Sequence, residues 1–141
     1  MFWPIKFNPK KFEKFKSKII YKVYDENDQG IEEIHNKDSE KIKSYKYIMN
    51  ALRRENGQRN HIQVGLDNAD VDDIILISDV DEIPNLNLID FTKIKEKIFM
   101  FRQDMFYYKF DLKLPNMVWT GTKGCRKKNL LSPQWLRNVK D

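Results

Sequence analysis

The sequence predicts an α/β fold with a mainly parallel sheet, built as a single domain. Ile74–Ile77 is a run of four β-branched or leucine residues with polar residues on both sides, which is typical of a strand covered on both faces. Segments with helical spacing precede and follow this run, as expected when helices connect parallel strands. A chain of 141 residues is long enough for one domain with one core. We therefore expect residues 74–77 to form the central strand.

The region before this strand predicts a short helix, a strand and an acidic connection. Asn8 followed by Pro9 is typical of a helix start, so a short helix is expected over residues 10–16. Residues 18–24 alternate well enough for a strand that lies beside the central one. Residues 25–39 are acidic and without periodicity, which predicts an exposed connection.

Two helices are expected between this connection and the central strand. Apolar residues recur at steps of three and four over residues 39–52, and Ser39 or Asp38 is the expected N-cap. Gly57 predicts a break or bend. A second helical stretch follows over residues 58–66.

The region after the central strand predicts a crossover helix, further strands and a final helix. The expected elements are a helix over 85–96, strands over 98–101 and 105–114, a strand over 119–124 that runs into a glycine turn, and a helix that starts at Ser132 and Pro133.

The acidic stretch after the central strand predicts a metal site. Residues 78–82 would emerge at the carboxyl end of the strand, where open α/β sheets place ligands. In extended backbone Asp79 and Asp81 point the same way and Val80 points inward. Paired carboxylates suit magnesium or manganese, which also bind substrate phosphates. The alternative is an acidic surface turn before Pro84.

Composition and charge limit the partners of the chain. Nine Phe, six Tyr and three Trp are ample for a globular interior. The net charge is +5, and the basic cluster is expected to be a solvated face rather than a nucleic-acid interface, because the aromatic residues near it follow a strand pattern. This cluster consists of Lys123, Arg126, Lys127 and Lys128. The longest uninterrupted aliphatic run has four residues, so we expect no membrane segment.

Residues 77–84, Ile-Ser-Asp-Val-Asp-Glu-Ile-Pro, resemble the signature of the family 17 glycosyltransferases. Animal members of this family add the bisecting N-acetylglucosamine to the core mannose of N-glycans. Other stretches resemble the family in the same order along the chain, and the resemblance covers about residues 18–137. These stretches are 55–62 with Gly65 and Leu66, 106–108, 119–122 and 132–137.

The resemblance implies a glycosyltransferase-A fold, which is Rossmann-like and binds nucleotide-diphospho-sugars. Residues 1–141 would be one partial catalytic domain, truncated at both ends, with its metal motif at residues 79–82. The implied reaction transfers N-acetylglucosamine from UDP-GlcNAc to a mannose of an N-glycan-like acceptor, with inversion and with Mn²⁺ or Mg²⁺ as cofactor. The family implies the Golgi lumen in animals, whereas this chain carries no address that we can read, so the cytoplasm also stays open.

The resemblance also assigns roles to residues of the acidic stretch. Asp79 and Asp81 would hold the metal ion, and Glu82 would orient a metal-bound water, Arg59 or the donor. An inverting transfer needs a carboxylate that takes the acceptor proton. Asp104 is the nearest candidate by position, although it lies outside the residues that carry the resemblance.

Substrate contacts are expected from a helix and from aromatic residues. Gln58, Arg59 and Asn60 would bind the donor, and the guanidinium of Arg59 would bridge the nucleotide or hold the two aspartates by bidentate pairing. Tyr108 or Trp119 would stack on a sugar ring. Two alternatives stay open at this point: a metal-dependent phosphoryl hydrolase or nuclease that uses the same carboxylates, and an inactive binding module.

Overall fold

The sheet is small and entirely antiparallel. In the computed structural model, which describes residues 8–25, 30–107 and 111–140, the strands are β1 (Ile74–Ile77), β2 (Ile98–Tyr107) and β3 (Leu112–Arg126). Their order is β1-β3-β2, and β3 pairs antiparallel with both neighbours. The expected α/β fold with a mainly parallel sheet, and with it the glycosyltransferase-A fold, is therefore wrong.

The position of β1 shows why the prediction failed. β1 lies at an edge of the sheet, where Ile74 pairs with Arg126 and Ile77 pairs with Lys123. Burial alternates along β1, so the strand is not equally covered on both faces. A run of four apolar residues fits an edge strand as well as a central one, because its length leaves too little periodicity to distinguish them.

The predicted glycine turn after Trp119 is instead the middle of β3. Gly124 pairs with Leu76 of β1 and with Phe99 of β2. A Cβ atom at this position would collide with the Phe99 ring and the Leu76 side chain. The glycine is thus required by close packing between strands rather than by a turn.

The predicted crossover helix over residues 85–96 is replaced by two short 3₁₀ helices, Leu86–Leu88 and Phe91–Lys93. Asn85 Oδ1 accepts a hydrogen bond from the backbone N–H of Asn87 at 3.2 Å, and Asp90 Oδ1 accepts one from the N–H of Thr92 at 3.1 Å. Such local bonds compete with a continuous helix. Residues 18–24, expected to form a strand, form none: Lys18 ends the first 3₁₀ helix, and residues 19–24 have no regular secondary structure.

The longest helix is α1, Glu40–His61. The Ser39 hydroxyl accepts a hydrogen bond from Ile42 N–H, which confirms the expected N-cap. The helix continues through Gly57, so the predicted break is wrong. One glycine costs only about 1 kcal/mol relative to alanine in a helix interior. A 3₁₀ helix, Ile62–Leu66, follows directly.

The first and last helices have the predicted caps. Asn8 caps a 3₁₀ helix, Pro9–Lys18, and Ser132 caps α2, Pro133–Asn138. None of the described helices is long and apolar enough to cross a membrane.

The hydrophobic core brings α2 against the sheet. Ile75 and Ile77 of β1, Cys125 of β3 and Leu136 of α2 are buried together. Because Leu136 is fully buried, α2 is fixed beside the carboxyl end of β1. This packing places the acidic stretch next to the last helix.

Candidate functional site

Residues 78–82, which we call the acidic turn, connect directly to the end of β1. The backbone N–H of Glu82 donates to Asp79 O at 3.1 Å, and the N–H of Asp79 donates to Glu82 Oε2 at 2.9 Å. The hydroxyls of Ser78 and Thr122 lie 2.8 Å apart, which links the turn to β3. The turn is therefore closed by the Glu82 side chain and anchored to β3.

Because this segment is a turn and not extended backbone, side chains do not alternate along it. Val80, expected to point into the protein, is fully exposed. The expectation that Asp79 and Asp81 point the same way rested on the same alternation, which does not apply here.

Arg137 of α2 binds two carboxylates of the turn. Its Nη2 donates to Asp79 Oδ2 at 2.8 Å and to Glu82 Oε1 at 3.0 Å, and its Nη1 donates to Glu82 Oε2 at 2.9 Å. Nη1 also donates to the carbonyl oxygen of Gly121 on β3. The side chain of Arg137 is only 10% exposed. These contacts join α2, β3 and the acidic turn through one guanidinium.

Arg59 of α1 binds the other oxygen of Asp79. Its Nη2 donates to Asp79 Oδ1 at 3.1 Å and to Glu55 Oε1 at 2.8 Å, and its Nη1 donates to Gln134 Oε1 of α2 at 2.5 Å. Burial lowers the pKa of the guanidinium, but the hydrogen bonds to Glu55 and Asp79 outweigh burial, so the pKa lies above its usual value. Arg59 thus stays charged and contacts Asp79 through Nη2 alone. Among the described residues it makes no hydrogen bond or ion pair with Asp81, so the predicted bidentate hold on both aspartates is not observed.

Glu82 is the most enclosed acid of the turn, with its side chain 5% exposed. In addition to Arg137 and the Asp79 N–H, its Oε1 accepts a hydrogen bond from Trp119 Nε1 at 2.7 Å. A carboxylate with this many donors is held in one orientation. Its contacts suit a role in fixing the turn and Trp119.

The acidic turn borders a cleft of about 1080 Å³. Asp79, Asp81, Glu82, Asp104 and Trp119 all contribute to the lining of this cleft. The side chain of Asp81 is exposed and makes no hydrogen bond or ion pair with the described residues. Asp104 Oδ2 accepts a hydrogen bond from Lys113 Nζ at 2.8 Å. The structure thus brings the four predicted acids to one cavity.

The other predicted contacts are distributed differently. Asn60 Oδ1 accepts a hydrogen bond from the backbone N–H of Gln134 at 3.0 Å, so it holds the start of α2. Gln58 is exposed on α1 and is not part of the cleft lining. Tyr108 lies outside the described residues.

The acidic turn offers few carboxylates as ligands for a metal ion. Within residues 8–25, 30–107 and 111–140, no group of three or more His, Cys, Asp or Glu side chains is placed to share an ion. Each oxygen of Asp79 accepts from one arginine and keeps a second lone pair, and Asp81 is open. Magnesium and manganese are commonly bound by one or two carboxylates with waters and substrate phosphates completing the shell. Asp79 and Asp81 carry the type of ligand that such a site uses.

Sequence reasoning did not assign a role to several residues of this cluster. The contacts of these residues depend on how α1, α2 and β3 meet, which no local pattern in the sequence specifies. The residues are Glu55, Gly121, Gln134 and Arg137.

Comparisons of the chain with protein families, curated proteins and solved structures find no match.

Proposed function

We propose that this chain is a metal-dependent glycosyltransferase that transfers N-acetylglucosamine from UDP-GlcNAc to a mannose hydroxyl of an N-glycan-like acceptor, with inversion. The observation that carries the proposal is that separate stretches meet around Asp79, which lines the cleft. Residues 55–62, 77–84, 119–122 and 132–137, which carry the resemblance, all supply side chains or backbone groups to the cluster around Asp79. The proposal rests on these residues and not on a parallel sheet.

In this proposal Asp79 and Asp81 would hold Mn²⁺ or Mg²⁺. When bound, the cation stabilises the negative charge that develops on the leaving diphosphate. Glu82 and Arg137 hold the turn in place. Asp104, which lines the same cleft outside the acidic turn, is the candidate base for the acceptor hydroxyl. Trp119 also lines the cleft, and its partly exposed ring suits stacking on the apolar face of a sugar.

The first test is calorimetric titration of uridine diphosphate into the protein with Mn²⁺ or with EDTA. We expect binding with Mn²⁺ and none with EDTA. Asp81→Asn removes the one open carboxylate of the turn and should weaken Mn²⁺-dependent binding at least tenfold, about 1.4 kcal/mol. Asp67→Asn is the matched control, because Asp67 is exposed and does not line the cleft. Equal affinities of the wild type and Asp81→Asn would refute the metal role.

The second test separates transfer from phosphoryl hydrolysis. The protein is incubated with Mn²⁺ and either UDP-GlcNAc plus a mannose-terminated glycan or a phosphodiester. A glycosylated acceptor supports the proposal, and loss of that product in Asp104→Asn supports the base assignment. Consumption of the phosphodiester alone would favour a hydrolase or nuclease. If neither UDP-GlcNAc nor the phosphodiester is consumed, with or without Mn²⁺, the result would favour a binding module.

A further inference from the structure

We propose that Arg137 is the positioning residue of the acidic turn, so that α2 forms part of the site. The inference rests on the proposed function for the role of the turn. The contact of Arg137 with Asp79 and Glu82 itself can be tested without a ligand. Arg137 is the described residue that donates to both Asp79 and Glu82 and also to the backbone of β3. Removing it would leave the enclosed carboxylate of Glu82 without its charged partner.

The backbone of α2 is held firmly enough for this role. The Nζ atom of Lys123 donates to Arg137 O at 2.6 Å and also to Val139 O at the end of the helix. Lys123 is buried, although the sequence predicted a solvated position for it. A cation at a helix C-terminus donates hydrogen bonds to the free carbonyl groups and interacts favourably with the partial negative charge of the helix dipole. Together with buried Leu136, this contact fixes the backbone from which the Arg137 side chain extends.

The guanidinium geometry matters as much as the charge. Nη1 and Nη2 each donate to a different oxygen of Glu82, and Nη2 also reaches Asp79. A planar fork can make these parallel bonds, whereas the ammonium of lysine is a compact point charge. We therefore expect Arg137→Lys to restore charge without restoring the position of Glu82.

Trp119 provides a direct readout, because its indole N–H donates to Glu82 Oε1 at 2.7 Å. In ¹⁵N spectra of the ligand-free protein, Arg137→Met should move the Trp119 indole resonance towards its position in the unfolded chain. Arg126→Met is the matched control, because Arg126 also lies at the sheet but donates to the Asp72 carbonyl far from the turn. Its Trp119 resonance should stay in place. A Trp119→Phe variant assigns the signal.

The second readout is Mn²⁺-dependent affinity for uridine diphosphate. We expect Arg137→Met to weaken it at least tenfold, about 1.4 kcal/mol, and Arg126→Met to leave it unchanged. An unmoved indole resonance in folded Arg137→Met would overturn the inference, and so would unchanged affinity. If the wild type binds no nucleotide but the resonance moves, the proposed function fails while the positioning role stands.

If Arg137→Met does not fold, Arg137→Lys gives the decisive measurement. A displaced Trp119 resonance in folded Arg137→Lys supports the inference, because the ammonium cannot replace the fork. A resonance at the wild-type position overturns it, since charge alone would then be sufficient.

Discussion

Gly121 lies where the side chains of the site come together. Its carbonyl oxygen accepts a hydrogen bond from Arg137. A Cβ atom built on Gly121 would collide with the Glu82 carboxylate and with the indole nitrogen of Trp119. The φ angle does not demand a glycine, since Gly30 is the described glycine with positive φ. The close approach of Glu82 and Trp119 is therefore what requires glycine at this position.

Gly121→Ala should destabilise the protein by about 1–3 kcal/mol, because an added methyl group in a packed site forces its neighbours apart. Urea unfolding measures the loss. Gly65→Ala is the control, because a Cβ atom there would meet Ile20 Cγ2 at an ordinary 3.8 Å. We expect it to change stability by less than about 1 kcal/mol. Equal losses in the two variants would contradict the packing argument.

At the scale of elements, the sequence predicts local features better than distant pairing. The caps at Asn8, Ser39 and Ser132 were predictable because each depends on residues within one turn of the helix. The pairing of Ile77 with Lys123 was not, since no local pattern specifies an antiparallel partner so distant in the chain. The pairings of β3 with β1 and with β2 decide between the predicted parallel sheet and the observed antiparallel one.

The same distinction holds for the candidate site. Asp79, Asp81 and Glu82 were identifiable because they form one continuous motif after a strand. Arg137 was not, because its contact with the motif depends on the packing of α2 against β1 and β3. Trp119 was expected, with Tyr108 as the alternative, to stack on a sugar ring, whereas its hydrogen bond to Glu82 depends on the same long-range packing.

The segment before α1 is held to the helix by a charged pair with a defined pH dependence. Asp38 Oδ2 accepts hydrogen bonds from Lys46 Nζ at 2.7 Å and from the backbone N–H of His35 at 3.0 Å. The hydrogen bond from Lys46, followed by the one from His35, lowers the pKa of Asp38 below 3.8. The ionised carboxylate is thus favoured in the folded state.

Because folding lowers the pKa of Asp38, its ionised carboxylate stabilises the folded state at pH values above 3.8. This stabilisation is lost as the pH falls through the pKa that Asp38 has in the folded state. Asp38→Asn should therefore lower the melting temperature at neutral pH, and the difference from wild type should shrink as the pH is lowered below 3.8. Melting curves across this range test it. Glu40→Gln, which removes an exposed pair with Lys43, should show a smaller change. A pH-independent difference for Asp38→Asn would refute the assignment.

At the scale of the whole molecule, the described residues bury little hydrophobic surface. Ile75, Ile77, Phe101, Cys125 and Leu136 are the buried hydrophobic residues among them. Large side chains along α1 are exposed instead, including Ile42, Tyr45, Ile48 and Leu52. Hydrophobic burial is the main favourable contribution to folding, so we expect the isolated chain to be only weakly stable.

We predict a free energy of unfolding at or below about 5 kcal/mol, the lower end for globular domains. Urea unfolding gives the value, and thiol labelling of Cys125 checks it independently. Cys125 is a free, fully buried cysteine, and burial raises the pKa of its thiol, so labelling requires opening of the core. Labelling should accelerate in parallel with unfolding. A free energy above about 10 kcal/mol would contradict the prediction.

The middle position of β3 determines when the sheet can assemble during synthesis on the ribosome. β1 and β2 emerge first, yet in the described sheet each of them pairs with β3 and not with the other. Their backbone groups therefore cannot form the hydrogen bonds of this sheet, and stay hydrated, until residues 112–126 have been translated. The order of synthesis thus delays formation of the acidic turn's supports until residue 137 has left the exit tunnel.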